Sequence, residues 1–232
     1  IDQQLEGAVR LIHGPGCPVC VTPVEEIDFA VSLARRPGVV VASFGDMLRV
    51  PGSRDSLLSV RAQGGEVRLV YSPLDAVRLA ERSPDRQVVF LAVGFETTTP
   101  ATALAVHQAE ALGLENFSLL VAHVRVLPAM EAILRDEQCR VEGFLAAGHV
   151  CTVQGFEEYR GFVRRYRVPV VVTGFEPLDL LVGIRECIRQ IESGEFAVAN
   201  CYERSVRVEG NPEARRLVEE VYEVCDRSWR GL

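Results

Sequence analysis

Short β-branched runs alternate along this chain with segments whose apolar positions recur every three or four residues, the order expected of parallel strands joined by crossover helices. The runs Val9–His13, Val39–Ser43, Glu66–Tyr71, Gln87–Val93, Phe117–Ala122, Glu142–Ala146 and Pro169–Thr173 are the predicted strands. Several are apolar throughout, which suits strands covered on both faces. Thr22-Pro23, Ser72-Pro73, Thr99-Pro100 and Asn211-Pro212 each put an N-cap residue before a proline at the first helical position. Thr22 and Glu25 also fit a capping box. The expected fold is α/β, with two consecutive parallel-sheet α/β units, crossover helices and a C-terminal helix.

The two units are suggested by an internal echo. Val93-Gly94-Phe95-Glu96 and Thr173-Gly174-Phe175-Glu176 each end an apolar run and lead into a helix, 80 residues apart. This predicts a first unit over 1–112, a second over 113–200 and a helical segment over 201–232, the first boundary falling where a helix would end at Gly113. The alternative is one continuous sheet of seven strands. From Asn211 to Trp229 the pattern is helical, with an apolar stripe of Leu217, Val218, Val221, Tyr222 and Val224-Cys225. The chain starts at Ile1 without a methionine and stops at Leu232 without terminal punctuation, and reads as an excerpt of a longer protein.

Composition narrows the function classes. The chain has 232 residues, 48% of them apolar, and a mean hydropathy of +0.13, enough for one large core or two modest ones. No apolar run approaches the roughly 20 residues that span a bilayer, and no signal-peptide pattern is present, so no membrane role is expected. A net charge of −7 and a pI near 5.3 argue against a nucleic-acid partner. All 25 basic residues are arginine, which excludes a lysine Schiff base or P-loop lysine within the chain. Seven cysteines with one close pair point to thiol or metal chemistry in a reducing, cytoplasmic setting rather than to a disulfide framework. Cys139, Cys187, Cys201 and Cys225 read as packing or incidental residues.

The close pair is the leading chemical feature. Gly14-Pro15-Gly16-Cys17-Pro18-Val19-Cys20 follows the predicted strand Val9–His13 and precedes a helix start, which places two thiols at the ligand-binding end of an α/β sheet. Gly14 and Gly16 let backbone turn tightly and approach a ligand, and Pro18 stiffens the segment between the sulfurs. Cys-x-x-Cys spacing serves disulfide exchange, zinc or iron ligation and Fe–S clusters alike. A four-cysteine zinc site needs a second pair at ligand spacing, and there is none. His13, His123 and His149, each at or just beyond a predicted strand end, are candidate further ligands, with hydrogen-bonded structural histidines as the alternative. Gly94-Phe95-Glu96-Thr97-Thr98-Thr99-Pro100 sets an acid and three hydroxyls between a strand and a helix, as a polar wall with Glu96 as acid, base or supporting partner; helix capping by Thr99 alone is the alternative. Asp46 and Arg49, in the Ser43–Ser53 stretch, are further candidates, with a surface Asp–Arg pair as the plainer explanation.

Taken together, these motifs resemble the HypD family of [NiFe] hydrogenase maturation proteins. The resemblance rests on His13 through Pro23, Ser43-Phe44-Gly45-Asp46 with Val50-Pro51-Gly52-Ser53, Gly94 through Pro100, Gly148-His149-Val150, Val172 through Asp179, Glu209-Gly210-Asn211-Pro212 and the closing Cys225-Asp226-Arg227-x-Trp229-Arg230-Gly231. It implies a scaffold that holds iron while the Fe(CN)2CO unit is assembled, with a small HypC-type chaperone and a HypE-type cyanide donor as partners. It implies a scaffold with redox capability rather than a conventional turnover enzyme. Cys17 and Cys20 are then the iron-binding and redox-active thiols, Glu96 acts with them, and Gly14, Gly16, Gly94, Thr97, Thr98 and His149 line the cofactor region. The family's N-terminal Cys-Gly-Gly-His segment and the four cysteines of its [4Fe–4S] cluster have no counterpart in residues 1–232. The competing functions are a thioredoxin-like thiol–disulfide oxidoreductase, which needs only Cys17 and Cys20, and a non-catalytic interaction module.

Overall fold

The computed structural model describes residues 1–5, 7–14 and 16–231. Pro15, in the lead-in to the cysteine pair, and the final Leu232 lie outside the described residues. In chain order the elements are α1 (Asp2–Leu5), α2 (Pro18–Val21), α3 (Val24–Ala34), β1 (Val39–Ser43), α4 (Gly45–Leu48), α5 (Leu57–Ala62), β2 (Val67–Leu69), α6 (Pro73–Arg82), β3 (Gln87–Gly94), α7 (Thr99–Ala111) and β4 (Phe117–His123). Then follow α8 (Val126–Arg135), β5 (Phe144–Ala147), α9 (Gly148–Gln154), α10 (Glu157–Tyr166), β6 (Val170–Thr173), α11 (Pro177–Ser193), β7 (Val198–Asn200) and α12 (Pro212–Val221). Two compact units divide the chain, residues 15–124 with 217–232 and residues 1–14 with 125–216, so the chain passes between them inside α12. Among the described residues no helix is long and apolar enough to cross a membrane.

The first of these units is built on a parallel sheet of order β2-β1-β3-β4. Its central strands β1 and β3 are buried on both faces because helices cover both. Val41, Leu91 and Val93 pack with Ile27 and Val31 of α3 and Leu57 and Val60 of α5. The alternate residues Val40, Ala42, Val88, Phe90 and Ala92 pack with Ala76 and Ala80 of α6. Successive strands from β1 leave toward opposite edges, β2 on one side and β3 on the other, so the switch point lies between β1 and β3, where open α/β sheets form their ligand crevice. β4 pairs with β3 from Val88↔Phe117 to Gly94↔His123, so this unit runs beyond the expected Leu112–Gly113 boundary to Val124. Gly113 does end α7, with φ of +65°.

The second unit has a parallel sheet of order β5-β6-β7. β7 has no strong β-branched run and escaped the sequence pattern. Val170 and Val172 of β6 pack with Tyr159, Phe162 and Val163 of α10. The Glu209-Gly210-Asn211 motif has a structural role here. The Phe156 N–H donates to the Val208 carbonyl at 3.0 Å, and the Asn211 N–H to that of Val153 at 3.0 Å. Gly155 and Gly210 meet back to back at positive φ, +78° and +70°, and a Cβ on either would overlap the other's backbone.

Several local expectations are corrected. Val9–His13 is not a strand: the Val9 N–H closes onto the Leu5 carbonyl at 3.0 Å, no neighbouring strand pairs with the segment, and Ile12 is 63% exposed. An extended run without a partner strand leaves its N–H and C=O groups to water. Thr22 does not cap α3; its hydroxyl donates to the Pro18 carbonyl at 2.8 Å, and Pro23 takes the N-cap position, so no Thr22/Glu25 capping box forms. Ser72 and Asn211 do cap, accepting from the N–H groups of Leu74 and Ala214. The final helix ends at Val221 rather than Trp229, and Val224 is 74% exposed.

The Gly155–Gly210 contact leaves no room for a side chain. Gly155→Ala and Gly210→Ala should each lower stability by roughly 2–3 kcal/mol, whereas Gly194→Ala, at positive φ but in open space, should cost about 1 kcal/mol. Urea denaturation of the three variants measures the difference.

Candidate functional site

The cysteine pair forms one end of the candidate site. Cys17 is the N-cap of α2, and its Sγ accepts from the Cys20 N–H at 3.2 Å. Pro18 occupies the first helical position. Cys17 and Cys20 are joined in a disulfide, with their Cα atoms 5.3 Å apart. Cys17 is half-buried and Cys20 exposed, so the bond is open to a reductant on one side. α2 is anchored by Val19, which packs on the cluster that contains Leu91 and Val93 of β3. The pair thus reaches the sheet through α2 and not through the expected strand. Gly16 is exposed, and a side chain at Gly14, the last residue that belongs to the other unit, would meet open space.

The other end is the Gly94–Pro100 loop at the end of β3. Glu96 is buried at 4% exposure, and its carbonyl accepts from the Thr99 hydroxyl at 2.8 Å. Thr99 is therefore inside α7 and is not its cap; Thr98 takes that position without a side-chain capping bond. The Thr98 hydroxyl is 3.1 Å from the Phe95 carbonyl, to which it donates, and 3.0 Å from His123 Nε2. A Cβ on Gly94 would overlap Thr98 Oγ1 and come within 2.9 Å of the His123 ring, so only glycine allows the pair to meet. Thr98, an expected cofactor contact, has its hydroxyl in hydrogen-bond reach of two groups of the protein itself. Thr97, half-buried, has no side-chain hydrogen bond among the described residues.

Sequence reasoning missed the C-terminal segment that joins these parts. The Tyr222 hydroxyl is 3.3 Å from His123 Nδ1, with the two rings edge to face at 5.5 Å. Arg227 pairs with Glu26 of α3 at 2.7 Å. Trp229 lies against Phe95, centroids 5.8 Å apart, and the next residue, Arg230, donates its N–H to the Val21 carbonyl at the end of α2. Adjacent residues thus touch both the glutamate loop and the cysteine turn. The aromatic spacing Tyr222…Trp229 was the available signal, hidden by reading the segment as helix.

Other candidates resolve individually. His123 uses both ring nitrogens in hydrogen bonds, and burial pushes its pKa down from 6.5 to about 4. Burial likewise raises the Tyr222 phenol to about 12. His13 is exposed. His107, on α7, pairs with Glu220 at 3.1 Å. Asp46 and Arg49 are linked only by a backbone bond, Arg49 N–H to the Asp46 carbonyl, that ends α4. The Val50–Ser53 stretch is held by Asp28, whose carboxylate accepts from the Ser53 N–H and hydroxyl and is thereby kept below the ordinary carboxylate range.

In the other unit His149 opens α9, with its ring against Phe175 at 4.8 Å and its pKa lowered by burial. Gly174 allows Asp179 and Tyr202 to approach the β6 end. Arg204 grips both oxygens of Asp179 at 2.7 and 2.6 Å and lies over the Tyr202 ring, which holds the Asp179 carboxyl below its usual range. Cys151 and Cys187 are buried, and burial raises Cys187 to about 11. Among the described residues no group of three His, Cys, Asp or Glu side chains is placed to hold a metal ion.

The His123 shift has a definite sign. The unfolded chain binds the proton more readily than the folded one, so stability is whole above pH 6.5 and falls as the pH drops toward about 4. The loss should reach up to about 3 kcal/mol, read as the urea midpoint of Trp229 fluorescence at pH 7 and at pH 4.5. His123→Gln should flatten that dependence; Asp28 and Asp55, both lowered from 3.8, contribute at still lower pH.

Comparison with known proteins agrees with the motif reading. A family profile described as "HypD: Hydrogenase formation hypA family" matches residues 1–232. The "Hydrogenase maturation factor HypD" of Azotobacter vinelandii is 49% identical over 239 residues, covering 100% of this chain and 63% of that protein. The proteins of the same name from Rhizobium leguminosarum bv. viciae and Escherichia coli (strain K12) are 46% and 43% identical, and this chain spans 62% of the length of each. The chain belongs to the HypD family.

Proposed function

We propose that this chain acts in [NiFe] hydrogenase maturation, as part of a scaffold on which iron is held while the Fe(CN)2CO unit is assembled with a HypC-type chaperone and a HypE-type cyanide donor. The observation that carries the reading is the Cys17–Cys20 pair on α2, which packs through Val19 on the cluster of Leu91 and Val93, and β3 then leads into the Glu96 loop. The names of the relatives support the process. Iron is here the cargo. As a disulfide the pair cannot bind it; exchange with an external dithiol, which is itself oxidised to a disulfide, converts the bond to two thiols, whose thiolates then supply two soft ligands. Two sulfurs do not complete an iron coordination sphere, so the remaining ligands come from cyanide, CO or a partner. Glu96 serves as the acid or base acting with the thiols, and Gly94 and Thr97 line the loop.

A resident [4Fe–4S] cluster does not fit the residues described. Cys139, Cys151, Cys187, Cys201 and Cys225 form no ligand group among the described residues, and no step of this reading passes through a cluster. The exposed Cys20 and the N-cap position of Cys17 favour a second reading, thiol–disulfide exchange without metal.

Anaerobic full-length protein purified with its HypC-type partner should bind iron and show infrared bands of CN and CO ligands. Cys17→Ser and Cys20→Ser should each abolish those bands. Absence of bands in the wild-type complex supplied with ligand donors would sink the scaffold reading, and dithiol-dependent disulfide reductase activity without iron would establish the second.

A further inference from the structure

One stretch of chain, 222–229, holds Phe95 from two directions. Its ring lies against Trp229. Its carbonyl accepts from both the N–H and the hydroxyl of Thr98, each at 3.1 Å; Thr98 in turn meets His123, and His123 meets Tyr222. Glu96 is the next residue after Phe95, so whatever fixes Phe95 fixes the backbone from which Glu96 projects.

Taking the Thr98 hydroxyl as the donor to the Phe95 carbonyl fixes the remaining proton positions. Thr98 has one hydroxyl proton and gives it to the Phe95 carbonyl, so toward His123 it can only accept. His123 must then carry its proton on Nε2. That leaves Nδ1 as an acceptor facing the Tyr222 hydroxyl, whose proton completes the chain. The neighbouring Thr102 hydroxyl, 3.2 Å from the Thr98 carbonyl, is also a side-chain partner of Tyr222 and lowers its pKa as a donor does, which leaves the phenol proton for Nδ1. Thr98, His123 and Tyr222 are half-buried and Thr102 is buried, and the tautomer follows from the donors and not from the ring itself.

We propose that Thr98 and Tyr222 are positioning residues: they lock His123 as the Nε2–H tautomer, and the locked ring holds the Phe95–Thr98 turn that sets Glu96 in place. The functional weight of the relay rests on the reading of Glu96 as a site residue given above. The relay itself is independent of that reading.

The test is a long-range 1H–15N correlation of the imidazoles in the uniformly labelled chain, with His123 assigned by His123→Gln. Wild type and Thr98→Ser should show His123 as the Nε2–H form alone. Thr98→Val removes the acceptor and should give a mixture with the Nδ1–H form. It should also speed amide exchange at 96–98 by about tenfold, what one ordinary hydrogen bond is worth. Tyr222→Phe keeps the edge-to-face ring but loses the donor to Nδ1, and should mix the tautomers too. An Nδ1–H ring in the wild type, or Thr98→Val and Tyr222→Phe spectra matching the wild type, would overturn the proposal. If Thr98→Val does not unfold cooperatively by Trp229 fluorescence, wild type and Tyr222→Phe decide alone. Unchanged hydrogenase maturation in Cys17→Ser would remove the functional reading and leave these spectra untouched.

Discussion

The pairing of β3 with β4 sets Gly94 opposite His123, and the rest of the candidate site depends on that register. Slipping a strand by one residue would turn His123 to the other face. Because Gly94 has no side chain, Thr98 can fold back over the strand end and reach the imidazole. The turn that results carries Glu96 into a buried position at the end of β3, one of the two strands that border the switch point. Burying a carboxylate is costly unless it is paired or hydrogen-bonded; the threonines bond to the Phe95 and Glu96 carbonyls and order the backbone that carries it.

The second constraint is the C-terminal segment. After α12 the chain stops being helical and is tied to its unit at intervals: Tyr222 to His123, Arg227 to Glu26, Trp229 to Phe95, and the Arg230 backbone to Val21. Surface ion pairs such as Arg227–Glu26 are worth little alone. The aromatic contact and the half-buried hydroxyl–imidazole bond carry more, since each is partly desolvated. The same few residues that close over the glutamate loop also end on the helix of the cysteine pair, which ties the disulfide and the Glu96 loop to one segment.

Identical words in the sequence serve different ends in the two units. Gly94-Phe95-Glu96 and Gly174-Phe175-Glu176 both follow a parallel strand and lead into a helix. Both glycines exist for close approach, by Thr98 and His123 in one case and by Asp179 and Tyr202 in the other. Yet Phe95 and Glu96 are buried at 7% and 4%, while Phe175 is 60% exposed and Glu176 is an exposed rim partner of Arg204. In the second unit the fixed anionic group is Asp179, gripped by a bidentate arginine.

Alternation of apolar runs with proline-marked helix starts determined the α/β class, the six strands that pair as expected and the helix starts at Ser72 and Asn211, because backbone pairing and capping are local or nearly so. The spacing of Cys17 and Cys20 likewise determined that they could meet. Tertiary structure decided what local pattern cannot encode. Val9–His13 has the composition of a strand but no edge to join. Thr22 has the composition of a cap but donates its proton backward. Tyr222 and Trp229 leave a helical pattern to meet His123 and Phe95, about a hundred residues or more away in sequence. Such pairings depend on which strand end and which side chain lie next to each other after the sheet has formed, and that neighbourhood exists only in the folded chain.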